Sequence, residues 1–127
     1  MRKLFFILMF SLSLSVSSEE TISRWMADYF KRIHDHIGNE NYDKAQKELE
    51  MGDQNYFRGG RTYEAALLYQ LYGQFYAVQS QYTNAIPWFE KALATGKMPR
   101  IGQQEVRFQL AQTCLLYTSD AADDRMR

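Results

Sequence analysis

Apolar residues recur at helical spacing along most of the chain. Between Thr21 and Ile37 they stand at Ile22, Trp25, Met26, Tyr29, Phe30, Ile33 and Ile37, with gaps of 3, 1, 3, 1, 3 and 4. Arg24, Asp28, Lys31, Arg32 and Asp35 fill the opposite side. That is one buried and one solvated face of an amphipathic helix. Gly38-Asn39 reads as its C-terminal cap, and Asn41 as the N-cap of a second helix with Tyr42, Ala45 and Leu49 turned inward. A third stripe runs from Leu68 through Tyr69, Tyr72 and Tyr76. A fourth runs from Tyr82 through Ala85, Ile86, Phe89, Ala92 and Leu93. The link between these two, Gln79-Ser80-Gln81, is short and polar, with Ser80 as the expected N-cap. Helices joined so closely must lie antiparallel.

Two residues in these stripes go against helix propensity. Gly73 lies inside the third stripe, where glycine costs about 1 kcal/mol, so a close approach by another helix is expected there. Pro87 lies inside the fourth, where it removes a backbone hydrogen bond and predicts a bend. After Leu93, Thr95-Gly96 and Pro99 close the fourth helix, and another begins near Ile101. Its Leu110-Ala111 repeats the large-small pair Tyr72-Gly73. Tyr42-x2-Ala45-x3-Leu49 likewise parallels Tyr82-x2-Ala85-x3-Phe89 at an offset of 40 residues. The stretch from Gly52 to Thr62, with Gly59-Gly60, is expected to be a loop or an extended helix end. The plainest reading is all-α: antiparallel helix pairs repeated along the chain.

The run Tyr69, Tyr72, Gly73, Tyr76, Tyr82, Ala85, Phe89 and Ala92 resembles the tetratricopeptide (TPR) signature, a helix–turn–helix unit of roughly 34 residues. The resemblance implies an α-solenoid with a degenerate repeat over 21–58, a clear one over 66–99 and the start of a third over 101–113. The eight signature residues are then packing residues. The family's binding groove is lined by the first helix of each pair, which implies Leu67, Gln70, Gln74 and Ala77, with Phe108 and Gln112 from the next repeat, as partner-contacting positions. Some TPR proteins clamp a carboxylate with Lys, Arg and Asn at such positions. Glutamines and apolar residues stand here instead, and suit a helix or extended segment held by packing and amide hydrogen bonds. The plainer alternative is that these six residues simply face solvent. The arrangement is also similar to exported bacterial TPR proteins associated with TonB–ExbB–ExbD energy-transduction systems. That similarity rests on Tyr42-Asp43-x-Ala45, Gly73-x2-Tyr76, Tyr82-x2-Ala85-Ile86, Lys91-Ala92-Leu93-x2-Gly96 and Leu110-Ala111-Gln112.

Both ends of the chain read differently from its middle. Met1-Arg2-Lys3, the apolar run Leu4 to Val16 and small residues at Val16-Ser17-Ser18 have the form of a secretory signal peptide over residues 1–18, cleaved after Ser18. The run is too short to span a bilayer, which takes about 20 residues. A periplasmic chain with no membrane span after cleavage is expected, with the helical domain over 19–113. Cys114-Leu-Leu-Tyr-Thr-Ser-Asp-Ala-Ala-Asp123 resembles one reading frame of a transposon adapter used in sequencing libraries, so 114–127 is expected to be a non-native tail. The helical pattern fails after Leu116, and apolar surface is expected on the last helix around Val106, Phe108 and Leu110.

Charge and candidate chemistry narrow the function classes. Of 15 basic and 15 acidic residues, 11 and 12 fall between Glu19 and Thr113, a net charge near −1. No single-sign field is present to recruit nucleic acid. The one cysteine lies in the tail. His34 and His36 are two apart, so on a helix they diverge, and a surface role is expected rather than metal binding. No nucleophile–base pair, phosphate-cradling loop or paired carboxylates stand at defined spacing. The expectation is a non-enzymatic scaffold that binds a protein or peptide and needs no cofactor. The alternative is a docking module of a larger exported enzyme or envelope assembly factor whose catalytic part lies outside this sequence.

Overall fold

The computed structural model describes residues 24–57 and 62–126. The signal-peptide reading and Gly59-Gly60 fall outside them. Among these described residues five α-helices follow one another: α1 (Arg24–Gly38), α2 (Tyr42–Gly52), α3 (Tyr63–Ala77), α4 (Tyr82–Ala94) and α5 (Arg100–Met126). No strand occurs among the described residues. The fold is an all-α, TPR-like array in which α1 packs on α2 and α3 on α4, with α5 laid along α4. The α3–α4 contact is the broadest, and α2 and α1 close the other side of α3.

The core follows the stripes. Met26, Tyr29, Phe30, Ile33 and Ile37 of α1 are buried, as are Ala45 and Leu49 of α2 and Tyr82, Ala85, Phe89 and Ala92 of α4. Helix α3 lies at the centre and is buried almost all round, from Ala65 to Phe75. The Phe89 ring fills the space above Gly73, where a Cβ would come within 2.5 Å of it. In the first pair the roles are exchanged, with glycine on the second helix: Gly52 of α2 leaves room for the Tyr29 ring of α1. Tyr29 also donates its hydroxyl to the Glu48 carbonyl. Across the two pairs Tyr42 meets Phe75 edge-on, ring centroids 6.2 Å apart.

Both helical hairpins turn in the same way. At the end of α1, Glu40 N–H bonds the Ile37 carbonyl and Asn41 N–H the His36 carbonyl. At the end of α3, Ser80 N–H bonds Ala77 and Gln81 N–H bonds Tyr76. Each is a Schellman turn, with Glu40 and Ser80 both at φ 60°. The offset of 40 residues is kept atom for atom through the turn.

This corrects two sequence expectations. Ser80 is not an N-cap; it is the left-handed residue that ends α3, and Gln81 holds the cap position without a side-chain capping bond. Gly38 is the last residue of α1 rather than its left-handed terminus, a role taken by Glu40. Asn41 does precede α2, but its side chain makes no capping bond. The effective side-chain cap is at Thr62, whose hydroxyl accepts the Ala65 N–H at 3.1 Å to start α3.

The stretch after Gly52 is an extended helix end, since α2 runs on into a π-helical turn over Asp53–Phe57. Helix α4 is continuous through Pro87. Helix α5 does not stop where its apolar pattern fails but continues to Met126. Its inward side does change there: Val106, Gln109 and Thr113 are buried, Leu116 is half-buried, and Cys114, Leu115 and Tyr117 are exposed. Of the residues expected to leave apolar surface on this helix, Phe108 is exposed. Val106 is fully buried in the shared core and Leu110 half-buried.

Candidate functional site

Two groups of side chains are more than packing. The first lies on α3 and α5, which one buried hydrogen bond joins. Gln70 of α3 donates its amide to the Gln109 side-chain oxygen of α5 at 2.9 Å, with both residues at 0% exposure. Gln74 stands one turn beyond Gln70 on α3. Glu105 and Gln112 stand one turn either side of Gln109 on α5. All five carry a buried polar atom with no hydrogen-bond partner: Gln70 Oε1, Gln74 Nε2, Glu105 Oε1, Gln109 Nε2 and Gln112 Oε1. Buried polar groups are normally paired, with protein or with ordered water, so these atoms are where polar partners belong. Burial also pushes the Glu105 carboxyl above its ordinary value.

Three of the six positions implied as groove-lining, Gln70, Gln74 and Gln112, are among these five residues. Leu67 and Ala77 are buried in the helix array, and Phe108 faces solvent on the outer side of α5. Leu67, Gln70, Gln74 and Ala77 are all buried. Helix α3 is central here, so even its polar positions are closed off. Gln109 was not among the expected residues. Its signal was available, because Val106, Gln109 and Thr113 form an i, i+3, i+7 stripe that puts an amide on the inward face of α5.

The second group is aromatic. Trp88 of α4 stacks flat on Tyr72, centroids 4.0 Å apart and planes 9° from parallel. Tyr69 lies 5.9 Å from the same indole. The Lys91 ammonium sits 4.6 Å from the Tyr69 ring centroid and 5.0 Å from that of Trp88. Trp88 was overlooked because it falls beside the inward stripe of α4; the clue was Lys91 three residues later, one turn away on the same face. Burial, then the negative charges of Asp53 and Glu50, pushes the Tyr72 phenol up. The signature residues Tyr69, Tyr72, Gly73, Tyr82, Ala85, Phe89 and Ala92 are all buried, and Tyr76 is half-buried at the edge of this stack. An open hollow of about 390 Å³ borders it, lined by Tyr76, Thr83, Asn84, Pro87, Trp88 and Lys91.

His34 and His36 are both half-buried. Among the described residues no three His, Cys, Asp or Glu side chains gather as a metal would need. No helix of the described residues is long and apolar enough to cross a membrane. Comparison with family models, with curated proteins and with solved structures finds no match. The chemistry on display is hydrogen-bonding amides, aromatic area and one exposed apolar line on α5.

Proposed function

We propose that the chain is a periplasmic scaffold of TPR type that holds a protein partner, working beside a TonB-linked envelope transport system. The observation that carries the binding role is the set of buried amide atoms without a partner on α3 and α5, at Gln70, Gln74, Gln109 and Gln112. Amides of both donor and acceptor character suit a polypeptide better than an ion or a small apolar ligand. The repeated hairpin turn at Glu40 and Ser80 supports the solenoid reading, because stacking one unit in register is how solenoids build an extended surface. The exposed apolar residues Ile101, Phe108 and Leu115, seven apart along α5, add area for packing. The compartment and the transport link rest on the sequence resemblances.

A photo-crosslinking amino acid at Phe108 tests this in cells that carry the parent gene. The expected outcome is a discrete adduct in the periplasmic fraction containing a component of the envelope transport machinery, identified by mass spectrometry. Adducts confined to cytoplasmic proteins, or full-length chain recovered in the cytoplasm, would sink the reading.

A further inference from the structure

The hollow of about 390 Å³ beside the aromatic stack shares no residue with the buried amides. Thr83, Asn84, Pro87, Trp88 and Lys91 come from one face of α4, and Tyr76 comes from the end of α3. Its walls are fixed in place. One face of the Trp88 indole lies on Tyr72, and Tyr76 stacks on the same Tyr72 ring at 6.5 Å and 18°. The Lys91 ammonium is kept at the rim by the Tyr69 and Trp88 rings. It joins neither of the ion pairs found among the described residues, Lys31–Asp35 and Arg32–Glu48.

Pro87 gives the hollow something that a helix does not normally present. Any other residue there would donate its N–H to the carbonyl four residues earlier, and proline has none to donate. The Thr83 carbonyl oxygen therefore lacks its helical donor, and Thr83 and Pro87 both line the hollow. Asn84 donates one N–H to Gln81 at 3.0 Å, which leaves its side-chain oxygen as a second acceptor. The Thr83 hydroxyl, the other Asn84 N–H and the Lys91 ammonium are donors. Acceptors, donors and ring surface thus meet in one exposed place.

We propose that this hollow binds a sugar ring that carries a carboxylate, as in a uronic acid unit of a glycan. The apolar C–H face of such a ring packs on Trp88 and Tyr76. Its hydroxyls both donate and accept, so they can use the Thr83 carbonyl, the Asn84 amide and the Thr83 hydroxyl together. An aromatic acid would stack equally well but has no donor for the Thr83 carbonyl. The carboxylate belongs beside Lys91. No arginine and no second lysine lines the hollow, so one negative charge is matched and a doubly charged phosphate is not. The volume falls within the about 300–1,000 Å³ of small-molecule sites, and the open side lets a glycan chain continue beyond the bound unit. None of these residues carries the protein-binding role, so the site stands apart from it.

The probe is trigalacturonic acid, with its methyl ester as the uncharged control, titrated into the full chain. Tryptophan fluorescence reports binding. The chain has two tryptophans, and Trp25→Phe at an exposed position leaves Trp88 as the reporter. The acid should give a saturable change, and the ester should bind about fivefold more weakly for want of the charge. Lys91→Gln should bring the acid down to the affinity of the ester and leave the ester unchanged. Pro87→Ala restores the N–H that takes the Thr83 carbonyl. It should raise the melting temperature while weakening acid and ester alike by about fivefold, a loss of binding that misfolding does not explain. No saturable change with the acid, equal binding of acid and ester, or unaltered affinity in Pro87→Ala would each overturn the sugar site. Benzoate displacing the acid at equal concentration would overturn it too, in favour of an aromatic ligand. The comparison of acid with ester needs neither the Lys91 nor the Pro87 variant and stands if either folds poorly.

Discussion

At Gly73 a single missing methyl group decides how closely two helices approach. The Phe89 ring occupies the place where a Cβ would stand, with three ring atoms between 2.5 and 2.8 Å of it. Phe89 is fully buried and cannot swing away without leaving a hole in the core. Gly73→Ala therefore gains about 1 kcal/mol of helix propensity but forces α4 off α3, an overpacking cost of about 1–3 kcal/mol. The net expectation is destabilisation, read as a lower urea midpoint. Gly102 in α5 is the control. There a Cβ would meet Met98 Cε at 3.4 Å, close to ordinary contact with the end of a flexible side chain. Gly102→Ala should be neutral or stabilising by up to about 1 kcal/mol. If both substitutions move the midpoint the same way, sterics at Gly73 are not what fixes the spacing of this pair.

At the scale of the element, what the sequence made legible is periodicity, and what it hid is backbone conformation. The stripes through Tyr29, Ala45, Tyr69 and Phe89 placed the first four described helices and most of the core, because burial demands an apolar face at 3.6-residue spacing. The turns were misread because the strongest turn residue nearby was taken as the turning point. Gly38 lay two positions early, and Ser80 looked like a cap because serine favours caps. Neither Glu40 nor Ser80 advertises a positive φ, yet both adopt one, as the two Schellman bonds and the short link require. A side chain in that conformation costs roughly 1–2 kcal/mol, which glycine avoids. Ser80 makes only a long hydroxyl contact with Tyr82, 3.4 Å. Ser80→Gly should accordingly stabilise the chain by about 0.5–1 kcal/mol after the entropy glycine adds to the unfolded state. A two-state denaturant titration measures it, and an unchanged or lowered midpoint would mean the turn is not strained at this residue.

For the whole molecule the question is what the central position of α3 does to polar side chains that a solenoid would leave on its surface. The groove residues were legible as residue types but not as buried ones, because burial there is set by the neighbouring helices, and no local pattern reports it. Gln109 stands on a legible inward stripe with Val106 and Thr113, but its bond to Gln70, 39 positions away, is not legible in any local pattern. Glu105 shows the consequence most measurably. One of its oxygens is closed off without a partner, and desolvation raises its carboxyl above the ordinary value of 4.5. The folded chain thus holds this proton to a higher pH than the unfolded chain does. Stability from Glu105 is complete below its unfolded value and is lost as pH rises through the folded value, so at neutral pH the half-buried carboxylate opposes folding. Glu105→Gln keeps the shape and removes the charge. Its melting temperature should exceed that of the parent at about pH 7, and the gap should close towards about pH 4, where the parent is protonated too. A gap that stays constant with pH would assign the difference to amide hydrogen bonding. A variant less stable at neutral pH would mean that the carboxylate has found a partner, and that the α3–α5 seam tolerates charge.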